Sequence, residues 1–138
     1  MIVDASVVIA ALMADGSTRH AFLHSVTPLS APAYVKDEVQ RHVGAIVKRS
    51  GLAQAVVDEA IVELFSRVQL VPGAMYASKL SEARQRCKKA QANGDEDYVA
   101  LALTSGEPIW SLDADFDRVE GIRRVTTADV RKATAGTE

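Results

Sequence analysis

The chain has one cysteine, Cys87, so no internal disulfide can staple it. It has no apolar run as long as a membrane span. Neither a Gly-x-x-x-x-Gly-Lys phosphate loop nor a Gly-x-Ser-x-Gly nucleophile elbow occurs, which removes the commonest nucleotide-hydrolase and serine-hydrolase readings. There is no internal repeat, linker or low-complexity tract. Charge of one sign is also lacking: the formal net charge is -2, so no basic excess advertises nucleic-acid binding. That balance does not exclude such binding, because acids gathered in one pocket can mask basic residues that lie elsewhere. The apolar stretch after Ala5 has no basic residue before it and is interrupted by Asp4, which argues against a signal peptide. A soluble, cytoplasmic protein is expected.

What is present fits one folded domain. At 138 residues, 48% hydrophobic and 25% charged, the chain can bury a core of its own. The expected domain covers residues 1–133, with a frayed tail over 134–138. Met1-Ile-Val-Asp4 reads as a short strand and residues 5–13 as a helix, capped by Asp4 or Ser6 and ended by Asp15-Gly16-Ser17. Residues 18–25 read as a second helix, and Pro28 to Pro32 as an extended segment. A long helical region is expected from 33 to about 66, broken near Ser50-Gly51. Its second half has an apolar face wide enough for both a core and a partner helix. Val68-Gln-Leu-Val71 reads as a strand, residues 75–92 as a helix stopped by Asn93-Gly94, and residues 121–125 as a weak strand before a last helix capped by Thr126-Thr127. Cys87 shares helical spacing with Leu80, Ala83 and Ala90, so its thiol is expected to be buried. Apolar strands alternating with helices predict an α/β fold with a mostly parallel sheet of about four or five short strands, covered on both faces.

The informative feature is where acids fall on this pattern. Asp4 ends the first strand; Asp113 and Asp115 follow the strand Ile109-Trp-Ser-Leu112; Asp95 and Asp97 open the helix after Gly94. In a wound α/β sheet, helix starts and strand carboxyl ends gather at one edge, where ligands bind. Carboxylates delivered there repel one another unless a cation holds them. Residues rotate by about 100° per helical position, which puts Asp37 opposite the valine stripe of its helix and Glu38 at the stripe's margin, free to lean into a cleft. The same rotation separates Asp95 from Asp97 by about 200°, leaving Asp95 as the cap that faces the edge and Asp97 as a first-turn acid suited to the helix dipole. Singly each acid has an ordinary reading as a cap or a solvated charge. Jointly, hard oxygen donors without a cysteine or histidine cluster favour Mg2+ or Mn2+ over zinc. Such an ion can activate water and neutralise a scissile phosphate. Ser6 and Ser111, two residues from Asp4 and Asp113, can orient a carboxylate or donate to a phosphate. His20 and His24, spaced i,i+4, read as a surface pair. Arg84, Arg86, Lys88 and Lys89 form the densest basic cluster, a solvated face or a phosphate track that Arg41, Lys48, Arg49, Arg123 and Arg124 can extend.

From Met1 to about Val130 the chain resembles the PIN-domain family, and in particular its small single-domain toxins of the VapC type. The resemblance is carried by Ile-Val-Asp4-Ala-Ser6-Val, by Ala-Pro-Ala-Tyr-Val-Lys-Asp-Glu38-Val, by Asp95-Glu-Asp-Tyr-Val-Ala-Leu-Ala-Leu, and by Ser111-Leu-Asp113-Ala-Asp115-Phe116. The last two, joined by a Gly-x-Pro-Ile turn, are the most specific. It implies a PIN-like three-layer α/β/α sandwich and a Mg2+- or Mn2+-dependent endoribonuclease. Asp4, Glu38, Asp95 and Asp113 are then the catalytic acids. Asp4, Asp95 and Asp113 hold the metal, and Ser6, Asp97, Ser111 and Asp115 support them; Ser111 stands where the family usually has Thr. RNA is the expected substrate, with Arg84, Lys88 and Lys89 as candidate RNA contacts. A homodimer through residues 33–65 is expected, and so is a small antitoxin partner. Two alternatives stay beside this reading: a non-catalytic RNA-binding or dimerisation module with a relic site, and a PIN nuclease that processes RNA without being a toxin. A phosphatase of the haloacid-dehalogenase kind needs a second Asp where Ser6 stands.

Overall fold

The computed structural model describes residues 1–13 and 16–137. Five strands form one sheet: β1 (Ile2–Val3), β2 (Leu29–Pro32), β3 (Val68–Val71), β4 (Ile109–Trp110) and β5 (Arg124–Val125). Their order is β3-β2-β1-β4-β5 and every pairing is parallel. Parallel strands need long crossovers, and eight helices supply or follow them: α1 (Ala5–Leu12), α2 (Gly16–Leu23), α3 (Val35–Arg41), α4 (Val43–Ser50), α5 (Gln54–Phe65), α6 (Leu80–Ala90), α7 (Glu96–Ser105) and α8 (Thr127–Thr137). The chain winds outward from β1 through β2 to β3, then returns past β1 to lay down β4 and β5. Right-handed crossovers taken in opposite directions put helices on opposite faces. In one group α1 packs on α2, α3 and α5, and α8 packs on α2; in the other, α7 lies on β1 and β2 with α6 against it. This is the expected three-layer α/β/α arrangement, with a sheet that is parallel throughout.

β1 is the middle strand, and Ile2, Val3, Ile109 and Trp110 are all fully buried. Its sequence neighbour α1 is apolar on nearly every side, which suits a helix sandwiched between the sheet and outer helices. Trp110 packs at 6.0 Å from Phe22 of α2 and donates its indole N–H to Thr127 of α8, tying that layer together.

Several local expectations differ from the structure. The region from 33 to 66 is three helices, broken at His42 and again where Gly51 turns left-handed at φ 71°. The helix expected over 75–92 starts only at Leu80, because two 3₁₀ turns, Gly73–Met75 and Ala77–Lys79, come first. It stops at Ala90, three residues ahead of Asn93-Gly94, where Gln91 adopts φ 56° and Ala92 N–H closes on Cys87 O. Gly16 and Ser17 open α2 instead of ending α1, while Asp15 lies outside the described residues. The last strand keeps only Arg124–Val125 of residues 121–125. α8 runs from Thr127 to Thr137, and Glu138 lies outside the described residues. Cys87 is buried as expected, and burial, with Glu96 and Asp95 nearby, pushes its thiol up to about 12. Among the described residues no helix is long and apolar enough to cross a membrane.

Candidate functional site

The strand order reverses between β1 and β4, and there the carboxyl ends of two adjacent strands open a crevice. Val3 pairs with Trp110, so the next residues, Asp4 and Ser111, leave the sheet side by side. Asp4 N–H donates to Trp110 O at 3.2 Å, and Ser111 Oγ donates to Asp4 Oδ2 at 2.6 Å. Asp4 Oδ1 accepts from the Ser6 amide at 2.9 Å and from the Ser6 hydroxyl. Asp4 is therefore the cap of α1, as its bland reading has it, and is also aimed at the crevice. Its carboxyl is raised by burial, against the lowering effect of the two serines. Three hydrogen bonds from Ser6 and Ser111 hold the carboxylate, and the Val7 amide adds to their lowering effect.

Ser111 and Ser6 do more than hold Asp4. Ser111 Oγ accepts from Asp113 N–H at 2.9 Å, and Ser6 Oγ accepts from Leu112 N–H at 3.1 Å. Both hydroxyls thus fasten the loop after β4 to the loop after β1. Asp113 caps the 3₁₀ turn Ala114–Arg118 by accepting from Asp115 N–H at 2.9 Å through Oδ1. Asp115 faces Arg118, whose Nη2 lies 3.0 Å from its Oδ1.

Glu38 reaches the same edge from α3. It is half-buried, while Asp37 is exposed, as their rotation predicts. The hydroxyl of buried Tyr98 donates to Glu38 Oε1 at 2.6 Å. Burial raises the Glu38 carboxyl; the Tyr98 bond and Arg41 oppose that, and Asp4 and Asp97 add to it. Asp95 sits at the N-cap position of α7 without making a side-chain cap bond, contrary to the capping role expected. Its carboxyl is pushed up to about 7, first by burial and then by Asp113, Asp4, Glu38 and Asp115. Those four acids come from three other segments, so the edge does gather the predicted acids around Asp95. Asp97 points elsewhere, accepting from Tyr76 OH at 2.5 Å, although its charge still reaches Glu38.

The donor set of Asp4, Asp95, Asp113 and Glu38 suits a hard divalent cation, and burial, together with the neighbouring acids, raises the Asp95 carboxyl. Among the described residues no three acidic, histidine or cysteine side chains already converge closely enough to hold an ion.

The basic residues divide. Lys89 lines a cleft of about 300 Å³ with Arg86, Arg118 and Glu120, next to the Asp115 end of the acidic edge. Arg84 and Lys88 are exposed on α6 but do not line it. His20 and His24 stack at 4.1 Å on the surface, away from the acids. Sequence reasoning passed over Tyr98, Tyr76 and Arg118. Tyr98 reads as one more apolar residue of α7, and nothing local links a tyrosine to an acid 60 positions away.

Comparison with known proteins gives two results. No curated protein matches the chain. A family model for the PIN domain matches residues 2–134, and members of that family are generally metal-dependent ribonucleases. With nearly all of the chain matched and an acid-lined crevice at the switch point of a parallel sheet, the protein belongs to the PIN-domain family.

Proposed function

We propose that the protein is an endoribonuclease using Mg2+ or Mn2+, with Asp4, Asp95 and Asp113 holding the ion and Glu38 acting beside them. The observation that carries this is the placement of Asp4 and Ser111 side by side at the carboxyl ends of β1 and β4, with Asp95, Glu38 and Asp113 close enough for their charges to act on one another. What the ion supplies is charge neutralisation at the scissile phosphate and an acidified water. The chain supplies the rest. Ser6 and Ser111 hold Asp4 at the crevice. Tyr98 fixes Glu38 through Oε1, leaving Oε2 to accept the proton of the attacking water. Asp97 and Asp115 shape the edge through Tyr76 and Arg118. Lys89, with Arg86 and Arg118, offers one approach for the RNA backbone; exposed Arg84 and Lys88 add to the field that draws it in. Wild-type protein should cleave RNA only with Mg2+ or Mn2+, and Asp95→Asn should lower the rate at least about 100-fold. Equal cleavage by the two would reject the assignment.

The single-domain size and the family suit the toxin of a toxin–antitoxin pair, with a small antitoxin as partner. Growth arrest on expression, relieved by Asp95→Asn, is the expected outcome; cleavage of RNA without arrest favours a processing nuclease. The surface of residues 33–65 leaves Leu52, Val56 and Val62 exposed, which supports a homodimer there. Light scattering at micromolar concentration should return twice the 14.8 kDa chain mass.

A further inference from the structure

The chain has three phenylalanines, three tyrosines and one tryptophan, and every one of them except Tyr34 is buried. Tyr34 is partly exposed, and its position is not arbitrary. It follows β2 by two residues, at the N-cap of α3, on the same sheet edge as the acids. Positions 34, 38 and 41 are spaced i, i+4, i+7 and share one face of α3, so Tyr34, Glu38 and Arg41 line up toward the crevice. The Tyr34 hydroxyl feels the charges of Glu38 and Asp97. The Arg41 guanidinium lies over the Tyr34 ring, 5.7 Å from its centroid. Arg41 is exposed and has no ion pair among the described residues.

Unpaired nucleic-acid strands are recognised by bases laid on aromatic rings or guanidinium planes, with cations on the adjoining phosphates. We propose that Tyr34 and Arg41 form a stacking platform for a nucleobase of single-stranded RNA flanking the position of cleavage. The assignment of the acidic edge as the cleavage site is the reading it rests on. A base placed there meets the guanidinium plane, or the ring itself once Arg41 swings to the neighbouring phosphate. The other tyrosines, the phenylalanines and the tryptophan are unavailable for this because the core has taken them. Stacking tolerates any base, so the platform favours an unpaired strand over a duplex without choosing a sequence.

The test is fluorescence anisotropy with a labelled single-stranded RNA decamer in EDTA, where no metal-dependent cleavage occurs. Tyr34→Leu should weaken binding about fivefold or more. Tyr34→Phe, which keeps the ring, should restore it to within about twofold. Arg41→Lys, which keeps the charge but loses the plane at an exposed position, should also weaken binding. An abasic decamer should bind the wild type and Tyr34→Leu equally. Wild-type affinity in Tyr34→Leu and Arg41→Lys, or an equal loss on the abasic strand, overturns the proposal. So does a change of oligomeric state in Tyr34→Leu with unchanged RNA affinity, which would make the tyrosine a subunit contact. Mn2+-dependent cleavage is scored separately. Its absence from the wild type removes the nuclease reading, while cleavage with no Tyr34 or Arg41 dependence in binding removes the platform alone.

Discussion

Asp4 shows how a carboxylate can be structural and available at once. Only 5% of its surface is exposed, and hydrogen bonds from Ser6 and Ser111 keep it tolerable there while it still faces the crevice. Ser111, fully buried, is the hinge of that arrangement, because its hydroxyl donates to Asp4 and accepts from the Asp113 amide. Ser111→Ala removes both bonds and leaves a buried carboxylate oxygen short of a donor, which should cost about 1–3 kcal/mol in urea denaturation. Ser111→Thr keeps the hydroxyl and should retain most of the stability. A loss below about 0.5 kcal/mol in the alanine variant, the level of an ordinary surface change, would mean that the hydroxyl does not hold the carboxylate.

Among the elements, α7 ties the site together. Its first residues bring Asp95 and Asp97, its first turn brings Tyr98 to Glu38, and its buried face of Val99, Ala100 and Leu101 locks it on the sheet. The T-shaped contact of Tyr98 with Phe116, at 6.4 Å, ties it to the turn after Asp113. The helix ends at Gly106 in the left-handed conformation, φ 75°, with open space where a Cβ would stand. Gly106→Ala therefore adds conformational strain without a clash, and should cost about 1–2 kcal/mol. Gly121 differs: at φ 79° a Cβ would also lie 2.5 Å from Arg86 Nη1, which bonds Glu120 O across this loop. Thermal melts should rank Gly121→Ala below Gly106→Ala; equal melting temperatures would show that Arg86 yields at no cost.

At the scale of the molecule, gathering acids at one edge leaves a signature in pH. Unfolded, Asp95 loses its proton near 3.8; folded, it keeps it to about 7. Between those values the folded state holds the extra proton, so stability falls as pH rises through that window and levels off above it. The metal-free protein should melt at progressively lower temperature from about pH 4 to about pH 7. Mn2+ at neutral pH should raise the melting temperature by mass action on the folded state. Asp95→Asn should flatten the pH dependence and shrink the Mn2+ effect. A metal-free melting temperature that is flat or rising across this window would contradict the crowding of acids at the edge.

Much of this molecule was written in its linear pattern. Periodicity and turn chemistry determined an α/β fold with a parallel sheet, the buried Cys87, and the helix rotation that separates Glu38 from Asp37 and Asp95 from Asp97. These are properties of neighbours along the chain, and local geometry suffices to read them. Helix ends were less legible: Gln91 rather than Gly94 stops α6, in a left-handed conformation that a glutamine does not announce in sequence. Only the tertiary structure decided that β1 lies between β2 and β4, that Tyr98 answers Glu38 while Tyr76 answers Asp97, and that the Arg41 guanidinium lies over the Tyr34 ring at the edge. Strand order depends on which apolar faces bury best against each other over the whole chain. No window of sequence contains that competition.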